Sequence, residues 1–129
     1  MITFKTEELC RQFLDDRLHR DVRLLVTALA SYMEGKHDMG VVVTAVFPEP
    51  GVERVSQTHA DGRAVDVRTK DWPDGAATTA ETWMNANFKT GAKGMNVAVY
   101  HVAGNGWHLH LQAAKRPVII KSGDSTIVI

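Results

Sequence analysis

Two short segments hold the side chains that could do chemistry. The first runs Ser56-Gln57-Thr58-His59-Ala60-Asp61-Gly62-Arg63-Ala64-Val65-Asp66-Val67, and the second runs Trp107-His108-Leu109-His110-Leu111-Gln112. Imidazole nitrogen and carboxylate oxygen are good ligands for zinc, and a catalytic zinc takes three protein ligands and keeps a fourth position for water. His59, Asp66 and one histidine of the second segment would supply such a set. In an extended strand His108, His110 and Gln112 share one face, while Trp107, Leu109 and Leu111 share the other. The apolar set, Trp107 included, is expected to pack, leaving the two histidines to point together into a site.

These residues need elements to hold them. Val97 to Val102 and Trp107 to Gln112 read as a hairpin around Asn105-Gly106, a dipeptide suited to a tight turn. A two-residue turn pairs His101 with His110; a four-residue loop pairs His101 with His108. Paired residues share a face, so either register adds His101 to the histidine side, whereas a three-residue loop would flip it away. Arg63 to Arg68 is a short alternating strand with Val65 and Val67 inward and Ala64, Asp66 and Arg68 outward. Val41 to Phe47 is β-branched and apolar, a buried strand ended by Pro48-Glu49-Pro50-Gly51, with an irregular loop to about Thr58.

Upstream, Thr6 caps a helix with an apolar face of Leu9, Phe13, Leu14 and Leu18. Asp21 is expected to cap a second, in which Val22, Leu25, Val26, Leu29 and Met33 recur at helical spacing up to a terminating Gly35. Thr78 and Glu81 read as the capping box of a third helix carrying Trp83, Met84 and Phe88. Pro117 to Ile120 and Ser125 to Ile129 form a last hairpin across Gly123-Asp124. The expected architecture is α+β: N-terminal helices packed on a small, mainly antiparallel sheet interrupted by one helix.

The first segment resembles the LAS zinc metallopeptidases, the group with D-Ala-D-Ala carboxypeptidases and dipeptidases, phage endolysins and the Hedgehog signalling domain. Their pattern is S-x-H-x-x-G-x-A-x-D followed downstream by H-x-H. His59, Gly62, Ala64 and Asp66 match in order and spacing, Ser56 precedes them one residue farther from His59 than the pattern's serine, and His108-Leu109-His110 supplies the second element. The resemblance covers roughly Val41 to Gln112. It implies a Hedgehog/D-Ala-D-Ala peptidase-like fold, Zn2+ held by His59, Asp66 and His110, and hydrolysis of peptide bonds in peptidoglycan stem peptides, as carboxypeptidase or endopeptidase. Ser56 would support the ligand loop, and Gly62 would permit close approach of the His59 loop to the Asp66 strand.

Two departures from the family bear on catalysis. The usual glutamate shortly before the last zinc histidine is absent from Ala103-Gly104-Asn105-Gly106-Trp107. The usual arginine after the Val41 to Phe47 strand is absent from Phe47-Pro48-Glu49-Pro50. A proton must still reach the leaving amine, and imidazole titrates near neutrality. His108 is the first candidate, His101 the second, and Arg63 or Arg54 stands in for the missing arginine. The alternative reading is a non-catalytic zinc-binding module of Hedgehog-like fold.

Composition bounds the rest. The 129 residues suit one domain, 1–129, able to bury a real core. Lys+Arg and Asp+Glu both number 15, which argues against nucleic acid as a partner. One cysteine excludes an internal disulfide framework and a cysteine zinc cluster; Cys10 reads as a small core residue on the first helix. Of six histidines, His19 and His37 need no role. The N-terminus lacks the basic stretch and apolar run of a secretory signal, and no run is long enough to span a bilayer. The expectation is therefore cytoplasmic synthesis without membrane insertion, action at the bacterial cell wall in the manner of a phage product, a peptidoglycan peptide as partner, and a monomer as the working unit.

Overall fold

The sheet begins before the first helix does. In this computed structural model, which describes residues 1–51, 57–103, 106–122 and 125–128, Ile2–Phe4 form a strand, β1, paired parallel with β2 (Val41–Ala45). Three residues are too few to carry a pattern, so periodicity gives no sign of this strand. Helix α1 (Glu7–Leu14) comes next, with the Thr6 hydroxyl accepting from the Leu9 N–H at 3.2 Å, as expected for a capping threonine. Phe13 is buried on it, whereas Leu14 is exposed and Cys10 half-buried.

Helix α2 (Arg20–His37) is the main support of the sheet. Val22, Leu25, Val26, Leu29 and Met33 are all fully buried, which is the apolar stripe predicted from spacing. Its ends differ from expectation. The N-cap is His19, whose Nδ1 accepts the Asp21 N–H; Asp21 sits inside the first turn. At the other end the helix runs through Gly35 and stops at Asp38, which adopts the left-handed conformation (φ 53°). Gly35 costs helix stability but does not end the helix when the buried stripe holds the preceding turns in place.

The five-stranded sheet has the order β1-β2-β3-β6-β5, with β3 at Ala64–Arg68, β5 at Ala98–Ala103 and β6 at Gly106–Gln112. All pairs except β1 with β2 are antiparallel, so the sheet is mixed. Alternation divides it cleanly. Val65 and Val67 of β3 and Leu109 and Leu111 of β6 are fully buried on the helix side. Asp66, His108 and His110 belong to the opposite face, with Asp66 paired to His110 and Arg68 to His108. The hairpin register pairs His101 with His108 and Val102 with Trp107, the register expected of the longer loop.

Helix α4 (Ala76–Asn87) seals the outer edge of β5. The Asn85 side chain accepts from the Ala98 N–H and donates to the Ala98 carbonyl, and the Glu81 carboxylate accepts from the Tyr100 N–H. Glu81 therefore caps a strand edge rather than its own helix, whose N-cap is Gly75 without a side-chain bond. The predicted Thr78–Glu81 box does not form. A second sheet, β4-β7-β8, joins Phe88–Lys89 to Ile119–Ser122 and Ser125–Val128. The architecture among the described residues is α+β, with four helices and this mixed main sheet. No described helix is long and apolar enough to cross a membrane.

Candidate metal centre

His59 arrives on α3 (Gln57–Ala60), one helical turn at the place where the sequence suggests the end of an irregular loop. The turn is locked to the start of β3: the Asp61, Gly62 and Arg63 N–H groups donate back to the carbonyls of Gln57, His59 and Thr58. Gly62 is indispensable to this turn. Its φ is +69°, and a Cβ there would lie 2.2 Å from the Arg17 carbonyl oxygen. The close approach that requires glycine is thus to the Arg17–Leu18 backbone, rather than only to the Asp66 strand. The Gly62 carbonyl in turn accepts from the His19 N–H at 2.7 Å.

Asp66 from β3 and His110 from β6 meet His59 from this turn. His110 Nδ1 lies 2.8 Å from Asp66 Oδ1, and His59 Nε2 lies 3.2 Å from the same oxygen. The three side chains are 12% (His59), 14% (Asp66) and 8% (His110) exposed. Their ligand atoms all lie within 4.8 Å of one another, so the group could hold a metal ion. Tetrahedral zinc, with bonds of about 2.0–2.2 Å, sets its ligands roughly 3.4 Å apart.

The outer contacts of the rings test that fit. His59 Nδ1 is 2.7 Å from the Val46 carbonyl, which can only accept, so Nδ1 carries the proton. The Gln112 amide nitrogen donates to the Asn96 carbonyl at 2.8 Å, which turns its Oε1 toward His110 Nε2 at 3.0 Å and makes Nε2 a donor. In neutral rings, His59 Nε2 and His110 Nδ1 then present lone pairs toward Asp66 Oδ1. Three acceptors face one another at these distances only with positive charge among them, as protons or as a cation. Fixing each ring through its outward N–H is how proteins orient histidine ligands.

Electrostatics agree. Burial is the largest influence on Asp66 and acts to raise its pKa. Hydrogen bonds from His110 and His59, with the fields of His59 and His108, outweigh it and hold the carboxyl far below the usual range. Burial likewise acts to lower the pKa of His59, but the Asp66 hydrogen bond and charge, together with the Val46 carbonyl, raise it overall.

The other expected residues fall on two sides. His108 Nε2 is 3.5 Å from Asp66 Oδ2, and His108 lines a cavity of ≈ 900 Å³ together with His59 and Asp66. His101 joins the cluster, its ring centroid 4.6 Å from that of His108 and 5.6 Å from that of His110, but it does not line the cavity. Its Nε2 is buried without a partner among the described residues, and burial followed by the neighbouring His108 and His110 lowers its pKa. Arg63 turns away: its guanidinium donates to the Ala113 carbonyl and to Asp61, both at 2.9 Å, and it does not line the cavity. Ser56 and Arg54 lie outside the described residues.

Two residues depart from the sequence expectation. Arg68 lines the cavity, half-buried, its guanidinium making no hydrogen bond or ion pair to a described residue. Alternation from Asp66 could have singled it out. Trp107 was expected in the core and is 57% exposed, its ring 4.8 Å from that of Tyr100. It sits where β6 begins, beyond the helices that bury Leu109 and Leu111. No protein-family model, curated protein or solved structure matches the chain.

Proposed function

We propose that this protein is a zinc-dependent peptidase of the Hedgehog/D-Ala-D-Ala peptidase type, cutting peptide bonds in the stem peptides of bacterial peptidoglycan. The observation that carries the reading is the convergence of His59, Asp66 and His110, with both ring tautomers set by outward hydrogen bonds, beside a cavity large enough for a peptide. A zinc ion held by these three would supply Lewis acidity, polarising a carbonyl and lowering the pKa of water toward neutrality. Val46 and Gln112 keep the rings aimed, and Asp66 balances charge.

His108 handles the proton. Its ring borders the cavity and is oriented by Asp66 Oδ2, so it can take a proton from the attacking water and deliver it to the leaving amine nitrogen as the carbon–nitrogen bond breaks. His101 packs behind it and is a positioning residue. Arg68, two residues along the same strand face from Asp66, is the cation available to hold a substrate carboxylate or carbonyl, a role Arg63 is too occupied to fill. The site of action is the bacterial wall, with the chain delivered in the manner of a phage product and acting as a monomer.

A second reading, a non-catalytic zinc module, is favoured by one observation. Among the described residues Asp66 is the only acid paired with these imidazoles; Glu49 lines the cavity but pairs with none of them. One experiment separates the two. Muropeptides are incubated with zinc-loaded protein and with a His59→Ala control and examined by mass spectrometry. Zinc-dependent peptide release that EDTA and the substitution abolish supports the peptidase; stoichiometric zinc without release supports the module.

A further inference from the structure

The cavity beside the histidines does not end on their face of the sheet. It continues past Thr69 and Lys70 to a far wall that includes Trp72, Asp74, Tyr100 and Trp107. Trp107 precedes His108 on β6, so alternation sets the two on opposite faces, and one cavity wraps the end of the sheet with an arm on each side. An indole 57% exposed and packed on a second aromatic ring is a large apolar surface left in water. The same cavity is lined by Lys70 and Asp74, and neither the Asp74 carboxylate nor the Lys70 ammonium pairs with a described residue.

We infer that this arm binds a pyranose ring, the glycan side of a substrate whose peptide lies on the histidine face. The identity of that substrate rests on the peptidase reading; the binding itself does not. A pyranose has a flat C–H face to lie on the indole and an edge of hydroxyl or acetamido groups. Asp74 can accept from that edge and Lys70 can donate to it. A purely apolar side chain would cover Trp107 while desolvating both charges without a partner, and a bare cation would meet Lys70. The protein would then recognise peptide still attached to glycan in preference to the free peptide.

The test uses metal-free protein and a trimer of N-acetylglucosamine as probe, with indole N–H resonances followed by NMR. The expected result is a saturable shift of the Trp107 indole while that of Trp83, stacked on Tyr32, stays still. Trp107→Ala should weaken binding by about tenfold or more, as for loss of a well-packed aromatic contact. Should that variant fold poorly, Asp74→Asn at an exposed position should weaken binding with the fold intact. Absence of a Trp107 shift, undiminished affinity in both variants, or a shift produced by a sugar-free stem peptide and not by the saccharide would each overturn the inference. Zinc titration is run in parallel. Zinc uptake without a saccharide response overturns this inference alone, and a saccharide response without zinc uptake upholds it while removing the peptidase reading.

Discussion

Two aspartates with histidine neighbours, the half-buried Asp66 and the buried Asp21, do different things. Asp21 is fully buried at the start of α2. Its Oδ2 accepts from the Val118 N–H at 3.1 Å, Arg20 Nε lies 3.5 Å from its Oδ1, and His19 spends Nδ1 on the Asp21 backbone N–H. There the carboxylate serves the backbone and the imidazole caps a helix. At Asp66 the arrangement is reversed: backbone and amide acceptors take the outward N–H groups, and the free ring nitrogens converge on the carboxylate. Residue types are therefore poor evidence for a site. What distinguishes the group that could hold a metal from the structural clasp is which ring nitrogens still have a lone pair to offer.

The contrast can be broken most forcefully at the three side chains that could hold a metal. Asp66→Asn or His59→Ala should cut zinc affinity and any wall-peptide hydrolysis by more than about a hundredfold, since loss of an outer partner alone costs about 10–100-fold. Isothermal titration with zinc reads the first effect and muropeptide mass spectrometry the second. Asp21→Ala should instead cost about 3 kcal/mol of stability in urea unfolding, because it strands a buried N–H, while zinc affinity per folded molecule stays unchanged. An Asp21 variant that lost zinc but kept its stability would erase the distinction. A smaller effect is expected at Gln112→Ala, about tenfold in zinc affinity with little change in fold, from loss of the bond that orients His110.

The smallest effect is the pH dependence of the metal-free protein. Asp66, held below its usual range, contributes stability above the ordinary aspartate pKa of 3.8 that is lost as pH falls through its folded pKa. His59, raised above 6.5, contributes stability that is full below 6.5 and lost as pH rises through its folded pKa. Metal-free melting temperature should thus fall as pH is raised beyond 6.5. Zinc-loaded protein should gain over the same range, because protons no longer compete for the rings. Melting curves with EDTA and with zinc settle the sign, and parallel trends in the two would contradict the shared use of Asp66 by proton and metal.

Much of the site was legible because its signal is local. His59 to Asp66 and His108 to His110 each fall within one turn-and-strand segment, and strand alternation sorts donors from core without knowledge of partners. His101 followed from pairing alone. The misreadings came where the deciding contact is distant. Strand β1 exists only because Val41 to Val43 offers it an edge. Glu81 leaves its helix for the Tyr100 N–H, and Asp21 turns to Val118. Trp107 has the correct face for the core, but the core ends before reaching it. Arg63 stood ahead of Arg68 in the sequence, and only three-dimensional neighbours reveal that Asp61 and Ala113 already occupy it.

The clasp between Asp21 and Val118 spans 97 positions of sequence. Protein chains leave the ribosome N-terminus first, at about 5–20 residues per second. Helix α2 and its apolar stripe are therefore made long before the one backbone N–H that completes the burial of its first-turn carboxylate. Until then the start of the helix stays open to water or to other chains. His110, the last of the three side chains that could hold a metal, also arrives late. A growing chain must reach His110 before Asp66 gains its second close ring partner, and Val118 before Asp21 gains its backbone donor.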